Sequence, residues 1–476
     1  MFELELKKTI RNYNNITMNT FENISPFDYR YYGRNKSKDV LAKYLSEEAY
    51  VRSLARVEAA LTQTLADKGV CSQDIAKEVT KACEQVTADE MYAEEDRIKH
   101  DIRGLANSIR KRVSDKAKPY VHFSSTSFDI VNTANMLRYK EFTQDVLIPK
   151  LLELEKAWID LARREKYTLQ VGRTHGQHAE PITFGFTIAE YVDRLGNRIA
   201  EFQDKHTKLR GKMSGAVGAY NASSLLIDNP LEFEKLVMQK LNMEPTLHST
   251  QIVTPEPILD LIHATVSCFG VLANFADDMR QLQRTEIGEV GEHFASDQVG
   301  SSTMPQKKNP INFENVKSFW KEIMPRINTL YMDQISEHQR DLTNSASARF
   351  IPEIFAGLYL STERLIRVSS KLQVDKEAML RNFNLHKDLI AAEPLYILLG
   401  AHNHPDAHET VKQLTLKARD KKVALQDIAM NEASLKPYFD KFTAKQKEII
   451  LHPETYTGIA SKKVDDVCNF WEEKLR

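Results

Sequence analysis

The sequence predicts an all-helical protein with unusually long helices. Only 17 glycines and 16 prolines occur among 476 residues, and no proline lies between Pro181 and Pro230 or between Pro257 and Pro305. Because proline and glycine interrupt helices, such intervals favour long helices over many short strands. In residues 258–282 apolar side chains recur every three or four positions, which places them on one broad helical face.

The helical periodicity divides the chain into three predicted domains. Residues 1–121 carry modest helical segments, residues 122–364 carry the longest ones, and residues 365–476 return to shorter ones. A helix of about 30 residues is roughly 45 Å long, which exceeds the needs of a compact monomeric domain. We therefore expect a central bundle of long helices that packs between subunits, the alternative being a single large monomeric bundle.

Charge and composition argue against several classes of partner. The 65 basic and 66 acidic residues balance, so no nucleic-acid or membrane partner is expected. No apolar core of a secretory signal occurs in residues 1–15, and no apolar run of about 18 residues predicts a spanning helix. The four cysteines are scattered without metal-ligand spacing, and no glycine-rich nucleotide loop occurs. These observations predict a cytoplasmic protein that has no metal and no cofactor.

The most informative stretch for chemistry is Gly-Ser-Ser-Thr-Met-Pro-Gln-Lys-Lys-Asn-Pro at residues 300–310. A serine that removes a proton must become an alkoxide, which nearby positive charge and backbone N–H groups stabilise. Lys307 and the amides of the loop could supply both. Ser301 and Ser302 are both candidates for this base, and a polar loop that merely precedes a helix starting at Pro310 is the alternative.

A second polar stretch, Gly172–Pro181, is predicted to join two helices and contains His175 between Thr174 and Gly176. Histidine is the side chain best suited to donate a proton near neutral pH. His175 is therefore a candidate general acid, although a histidine in a loop is often only exposed or structural.

Two further motifs could contact an anionic substrate. In Lys99-His100-Asp101 the neighbouring carboxylate can tune and orient the imidazole, or the triplet can be a solvated charge cluster. Thr126 and Ser127 precede a long helix, where they could cap its N-terminus, bind a carboxylate or phosphate, or do both.

Arginines supply the remaining candidates. Arg340 and Arg349, with Ser345 between them, could bind phosphate or carboxylate in the bidentate manner that guanidinium favours, or could form a surface ion-pair network. Arg30-Tyr31 is a further candidate for a phosphate, and Gln251 offers an amide that could contact a heterocycle.

With these motifs the chain resembles the adenylosuccinate lyases of the fumarase/aspartase superfamily, over nearly its whole length. Residues 300–310 match the Gly-Ser-Ser-x-Met-Pro-x-Lys-x-Asn-Pro loop of the superfamily, and Thr-His-Gly-Gln at 174–177 matches the loop that presents the general acid. The resemblance implies an L-aspartase/fumarase-like fold of three helical domains. It also implies a homotetramer with a long central helix bundle and active sites shared between subunits.

The activity implied by this resemblance is the anti β-elimination of fumarate from two nucleotides of purine biosynthesis. Adenylosuccinate would give AMP, and succinylaminoimidazole carboxamide ribotide would give AICAR. The resemblance makes Ser301 the general base and His175 the general acid, with Lys307 and Asn309 stabilising the carboxylate that gains charge.

Further roles follow from the same resemblance. Thr126 and Ser127 would grip a succinyl carboxylate, and His100 would lie near the phosphate or support His175. Gln251 and Asn315 would orient the succinyl and base portions. The remaining predicted substrate contacts are Arg30, Tyr31, Lys99, Asp101, Ser302, Arg340, Ser345 and Arg349.

Two alternatives stay open at this point. The spelling Gln306-Lys307-Lys308 is common in argininosuccinate lyases, although those enzymes usually have leucine where this chain has Gly176. Superfamily members can also serve as non-enzymatic structural proteins, a reading that the intact Ser301, Lys307 and His175 disfavour.

Overall fold

The computed structural model describes residues 23–35, 38–295 and 297–476, and this part of the chain is predominantly helical. Residues 1–15, which are expected to lack a secretory signal, lie outside the described residues. The α-helices are α1 (Lys38–Leu45), α2 (Glu47–Asp67), α3 (Gln73–Gln85), α4 (Ala88–Ile98), α5 (Asp101–Arg110), α6 (Ser127–Phe142), α7 (Ile148–Arg164), α8 (Phe184–Lys205), α9 (Pro230–Lys240), α10 (Glu256–Leu282), α11 (Ile311–Ile323), α12 (Arg326–Asp333), α13 (Ile351–Ser369), α14 (Lys376–Asn384), α15 (Lys387–Ile390), α16 (Ala392–Ala401), α17 (Ala407–Lys421), α18 (Leu425–Asn431), α19 (Lys436–Phe439), α20 (Ala444–Leu451) and α21 (Ala460–Lys474). The all-helical prediction is confirmed.

Short antiparallel strand pairs accompany the helices: β1 (Leu169–Thr174) with β2 (Gln177–Thr183), and β3 (Val290–Gly291) with β4 (Gln373–Val374). The stretch predicted as a loop between two helices is thus largely a hairpin between α7 and α8. His175 and Gly176 form its two-residue turn, with φ of 53° and 72°. Positive φ at both central residues is what a tight hairpin turn requires, and it explains why strands replace the expected loop.

The chain divides into two compact units. Unit 1 contains the described residues up to Pro149 together with Phe202–Val266 and Glu322–Leu360, and unit 2 contains Lys150–Glu201, Ser267–Lys321 and Ser361–Arg476. The division into domains at 1–121, 122–364 and 365–476 stays a prediction.

Unit 1 is organised around α2, which packs against α3 and α6. Ser46 caps α2 by accepting a hydrogen bond from the backbone N–H of Ala49 at 3.1 Å. At the C-terminal end of α6, the rings of Tyr139 and Phe142 lie 5.4 and 5.8 Å from that of Phe355. This core fixes the C-terminal end of α6, and part of the candidate site lies at the opposite, N-terminal end of the helix.

Unit 2 has an aromatic core formed by α7, α8 and α10. Trp158 stacks on Phe275 with ring centroids 4.4 Å apart, and Tyr191 packs edge-on against Phe275 at 5.2 Å. A second apolar cluster joins the later helices, from Ala391 to Ile450.

Helix α10 bears on the expectation that no segment of the chain spans a membrane. By length and apolar composition alone α10 could cross a membrane, although no spanning segment was expected. Within its most apolar window, however, 61% is buried inside the protein, and the core helix of a soluble protein passes the same test.

Candidate active site

A cavity of about 730 Å³ in unit 1 collects most of the predicted substrate-binding residues. Its wall includes side chains of α2, α4 and α6, of the segment 251–255 and of the segment 340–351. The predicted residues that line it are Lys99, His100, Asp101, Thr126, Ser127, Gln251, Arg340, Ser345 and Arg349. These nine residues come from four separate stretches of sequence that share no local pattern, so folding gives them a common surface.

The N-terminus of α6 contributes Thr126 and Ser127 to this wall. Thr126 is the N-cap residue, with φ of −111° and ψ of 162°, and Ser127 is the first residue of the helix. The backbone N–H of Thr126 donates to Asp129 Oδ2 at 2.8 Å. The predicted capping position of Thr126 is therefore confirmed, whereas the binding of a carboxylate there stays a prediction.

A buried ion pair between Asp129 and Lys212 supports that helix end. Both side chains are fully buried. Asp129 Oδ1 also accepts hydrogen bonds from the backbone N–H groups of Ser214 and Gly215, at 3.0 and 3.2 Å. Lys212 Nζ donates to the Gly215 carbonyl at 3.2 Å. One carboxylate thus ties the start of α6 to the segment 212–215.

The same segment reaches the part of the wall that contains Gln251. Gly218 has φ of 79°, and a Cβ there would lie 2.0 Å from the carbonyl oxygen of Ser249, so only glycine fits. The hydroxyls of Ser214 and Ser249 are 2.7 Å apart. Gln251 in turn donates its backbone N–H to the Gln339 carbonyl at 3.3 Å, beside Arg340.

The Lys99-His100-Asp101 triplet forms the junction between α4 and α5. Lys99 ends α4 in the left-handed conformation, with φ of 59°, and His100 caps α5. Because His100 Nδ1 accepts the backbone N–H of Arg103 at 3.3 Å, the neutral ring carries its proton on Nε2. His100 can therefore donate a hydrogen bond from Nε2 to an anionic ligand.

The serine loop belongs to unit 2, and its geometry distinguishes the two serines. Ser301 Oγ accepts hydrogen bonds from the backbone N–H groups of Thr303 and Met304, at 3.3 and 3.0 Å. Ser302 is exposed, and no hydrogen bond in the described part of the chain uses its hydroxyl. Two N–H groups directed at Ser301 Oγ would stabilise negative charge on that oxygen, which favours Ser301 as the base.

The two ends of the serine loop are held together by close contacts of Gly300 with Lys307 and Asn309. Asn309 Nδ2 donates to the Gly300 carbonyl at 2.8 Å, and a Cβ at residue 300 would lie 2.0 Å from the Lys307 carbonyl. Helix α11 begins at Ile311, directly after Pro310, close to the predicted start. Asn315 lies half-buried on α11, and Lys307 is exposed.

The hairpin that carries His175 is anchored at its base. Arg173 of β1 pairs with Glu289, whose side chain is fully buried. Gln170 Nε2 donates to Glu289 as well, at 2.9 Å. His175 itself lies exposed at the tip, so a fixed scaffold presents this imidazole to solvent.

Predicted site residues that are not among those lining the cavity fall into two groups. Arg30 and Tyr31 lie in a short π-helix, Phe27–Tyr31, of unit 1. The second group belongs to unit 2 and consists of His175, Ser301, Ser302, Lys307, Asn309 and Asn315.

Comparison with known proteins agrees with these motifs. Residues 22–324 match a family described as lyase, and residues 336–457 match the adenylosuccinate lyase C-terminal family. The adenylosuccinate lyase of Methanocaldococcus jannaschii is 33% identical over 95% of this chain and 96% of its own, and that of Pyrococcus abyssi is 34% identical over 95% and 99%. The chain belongs to the adenylosuccinate lyase family. An N-acetyl-S-(2-succino)cysteine lyase from Enterococcus italicus is also similar, at 30% identity over 90% of this chain and 93% of its own.

Solved structures agree on the fold of this family member. A 3-carboxy-cis,cis-muconate lactonizing enzyme from Pseudomonas putida superposes with a TM-score of 0.81 at 22% identity, covering 91% of this chain and 97% of its own. A fumarate lyase from Mesorhizobium sp. BNC1 gives 0.79 at 22% identity, covering 90% and 97%. The L-aspartase/fumarase-like fold is thereby confirmed, whereas the assignment as a lyase is confirmed by the family match and the relatives above.

The structure adds a buried pair that the sequence motifs did not single out, His122 with Glu58. His122 Nδ1 lies 2.6 Å from Glu58 Oε1, and the backbone N–H of His122 donates to Glu58 Oε2 at 3.0 Å. The Glu58 side chain is fully buried on α2. The available signal was a glutamate within the apolar face of α2, because a charged residue there needs a partner.

We expect this pair to make stability depend on pH. Burial alone would lower the pKa of His122, but the charge of Glu58 and its hydrogen bond raise the pKa above its ordinary value. The stabilisation is then fully present below about pH 6.5 and is lost as the pH rises through the raised folded-state pKa. The urea midpoint of the wild type should fall when the pH is raised from about 6 to about 9, and the fall should be smaller in Glu58→Gln.

The exposed pair His452–Glu454, at 3.3 Å, offers a matched control. Glu454→Gln should leave the pH dependence of the midpoint as in the wild type. An unchanged pH dependence in Glu58→Gln would contradict the role given to the buried pair.

Proposed function

We propose that the chain catalyses the anti β-elimination of fumarate from adenylosuccinate, giving AMP, and from succinylaminoimidazole carboxamide ribotide, giving AICAR. The observation that carries this proposal is the cavity of unit 1. Nine residues assigned to the substrate from four separate stretches of sequence line it together. The similarity to adenylosuccinate lyases over 95% of the chain supports the same substrates.

In the proposed reaction Ser301, as an alkoxide, takes the β-proton of the succinyl group. The electron pair left on that carbon is delocalised into the neighbouring carboxylate, which Lys307 and Asn309 stabilise. The delocalised pair then forms the C=C bond of fumarate as the C–N bond breaks, the electron pair of the C–N bond stays on the amino nitrogen, and His175 donates a proton to that nitrogen. Fumarate and the amino nucleotide are the products, and no cofactor takes part.

The nucleotide and succinyl groups would be held by the cations and hydroxyls of the cavity and by the N-terminal segment. Thr126 and Ser127 would bind a succinyl carboxylate at the N-terminus of α6, where the helix dipole favours negative charge. Gln251 and Asn315 would orient the succinyl and base portions, and His100 would lie near the phosphate or support His175. The other proposed contacts are Arg30, Tyr31, Lys99, Asp101, Ser302, Arg340, Ser345 and Arg349.

We also propose a cytoplasmic homotetramer whose active sites are shared between subunits. Large apolar side chains remain exposed in unit 1 after α11, among them Met332 at 70%, Ile335 at 81% and Phe350 at 53%. Burial in a subunit interface would remove these side chains from water. His175 is exposed and Ser301 is half-buried, so both side chains could be reached by a neighbouring subunit.

A test of the reaction is to incubate the purified protein with adenylosuccinate and, separately, with argininosuccinate, and to measure the fumarate released. Fumarate is expected from the nucleotide and not from argininosuccinate. Release from argininosuccinate alone would support the argininosuccinate lyase alternative, which the sequence Gln306-Lys307-Lys308 suggested, and would contradict the proposed function. Release from neither would favour the structural-protein alternative.

A second candidate substrate class is favoured by the 30% identity to an N-acetyl-S-(2-succino)cysteine lyase. A thioether of succinate could undergo the same elimination, with a C–S bond breaking in place of the C–N bond. The nucleotide is favoured because the cavity is large and offers the aromatic rings of Tyr50 and Tyr92 for a base or ribose.

A further inference from the structure

Arg340 lies against an aromatic ring in the cavity wall. Its guanidinium carbon Cζ is 3.3 Å from the centroid of the Phe128 ring. Both residues line the cavity. This separation is well inside the range at which a cation is attracted to the face of an aromatic ring, and it leaves no room for another group between them.

Arg340 forms no ion pair with a carboxylate in the described part of the chain, and its Nε is buried without a hydrogen-bond partner. Burial lowers the pKa of Arg340. Two other partly buried arginines are bonded to protein groups instead: Arg173 pairs with Glu289, and Arg138 donates to Asn135 and Tyr139. The buried Nε of Arg340 therefore has no acceptor within the described residues, unlike the bonded side chains of Arg173 and Arg138.

The Phe128 ring can hold the Arg340 guanidinium in place without using its N–H donors, which a carboxylate could not do. A carboxylate would also fix the guanidinium, but it would occupy the N–H groups and neutralise the charge. A ring covers one face only and leaves the N–H donors, which lie in the guanidinium plane, available for an oxyanion. Stacking also restricts the rotamers of a long side chain, which lowers the entropy lost when a ligand binds.

Phe128 is itself held in place by its neighbours. It is the second residue of α6, directly after Thr126 and Ser127, and it precedes Asp129. The buried pair of Asp129 with Lys212 fixes that turn of helix. The ring thus stands on one of the better anchored parts of the wall, next to two hydroxyls already assigned to the substrate.

We propose that Phe128 is a positioning residue that holds the Arg340 guanidinium ready for an oxyanion of the substrate, either the phosphate or a succinyl carboxylate. The inference rests on the proposed function, which supplies the substrate. It goes beyond that function because Phe128 carries no polar group and none of the motifs points to it.

The first test is binding of the two products, AMP and fumarate, measured by calorimetry, which does not require turnover. Phe128→Leu, which keeps apolar volume without the ring, should weaken one of the two by about 5- to 30-fold. Phe128→Tyr, which keeps the ring face, should bind both as the wild type does. Weaker binding of AMP would identify the phosphate as the partner of Arg340, and weaker binding of fumarate would identify the carboxylate.

A matched control and a double-mutant cycle separate positioning from packing. Phe123 is a neighbouring ring that packs on Tyr120 at 5.9 Å, and no arginine among the described residues stacks on it, so Phe123→Leu should leave both affinities within about twofold. In an Arg340→Gln background, Phe128→Leu should add less than about a twofold loss, because the group it positions is gone.

Steady-state kinetics with adenylosuccinate provide the second readout. If Arg340 contacts a group that does not change charge in the reaction, Phe128→Leu raises KM by a similar factor and leaves kcat within about twofold. The inference is overturned if Phe128→Leu binds both products normally, if the two substitutions act additively, or if the wild type binds neither product. Normal product binding without fumarate release from adenylosuccinate would instead refute the proposed function alone.

Discussion

Replacing Ser301 by alanine should lower kcat for fumarate release from adenylosuccinate by about 10²- to 10⁴-fold, the usual contribution of general acid–base catalysis. The physical reason is the local geometry of the serine loop. Ser301 Oγ receives two backbone hydrogen bonds, from Thr303 and Met304, that would stabilise its alkoxide. Loss of the hydroxyl removes the base and leaves those two donors unused. Steady-state kinetics of the purified variant measure the effect.

Ser302→Ala is the matched control for this substitution. Its hydroxyl is exposed and takes part in no hydrogen bond within the described residues, so kcat should fall by less than about tenfold, well short of the loss of a general base. Comparison of the urea midpoints of both variants with that of the wild type would show that neither substitution unfolds the protein. If Ser302→Ala lost turnover while Ser301→Ala kept it, the assignment of the base would be reversed.

Asp129→Asn is expected to lower the free energy of unfolding by about 3 to 5 kcal/mol, because it leaves the buried Lys212 ammonium without its counter-charge. Both side chains are fully buried, and apart from Asp129 the Lys212 ammonium bonds only the Gly215 carbonyl within the described chain. The amide of asparagine can still accept a backbone hydrogen bond but cannot balance the charge. Urea unfolding at a fixed protein concentration measures the loss.

Lys212→Met should cost less than Asp129→Asn. The Asp129 carboxylate keeps the backbone N–H groups of Thr126, Ser214 and Gly215 as donors after the lysine is removed.

The double variant Asp129→Asn/Lys212→Met should be more stable than Asp129→Asn alone, since it buries no charge. Lys462→Met removes an exposed pair with Asp466 and serves as a control that should change stability by about 0.5 kcal/mol or less. A double variant no more stable than Asp129→Asn would contradict the ion-pair argument.

Much of the candidate site could be predicted from sequence because its residues occur in short motifs with local meaning. Thr126 caps α6 and α11 starts beside Pro310 because the preferences of helix termini act over a few residues. The substrate set around Lys99 and Arg340 was identified by resemblance, and folding places those residues on one cavity wall.

The interactions that hold these residues could not be predicted, because they join positions far apart in the chain. Asp129 and Lys212 are 83 residues apart, and Glu58 and His122 are 64 apart. No periodicity or motif specifies which buried carboxylate meets which cation. The stack of Phe128 on Arg340 belongs to the same class, as does the pairing of Arg173 with Glu289. The hairpin around His175 was missed for a local reason, since a His-Gly turn gives a weaker signal than Asn-Gly or Asp-Gly.

The measurement that tests the proposed function most directly is the ratio of kcat/KM for adenylosuccinate to kcat/KM for N-acetyl-S-(2-succino)cysteine, with fumarate release as the common readout. Both compounds would release fumarate by the same elimination, so the ratio measures how strongly the site discriminates between the nucleotide and the N-acetylcysteine portions of the two substrates. A nucleotide site predicts a ratio well above one. A ratio below one would contradict the assignment and make this family member a lyase of succinylated thiols.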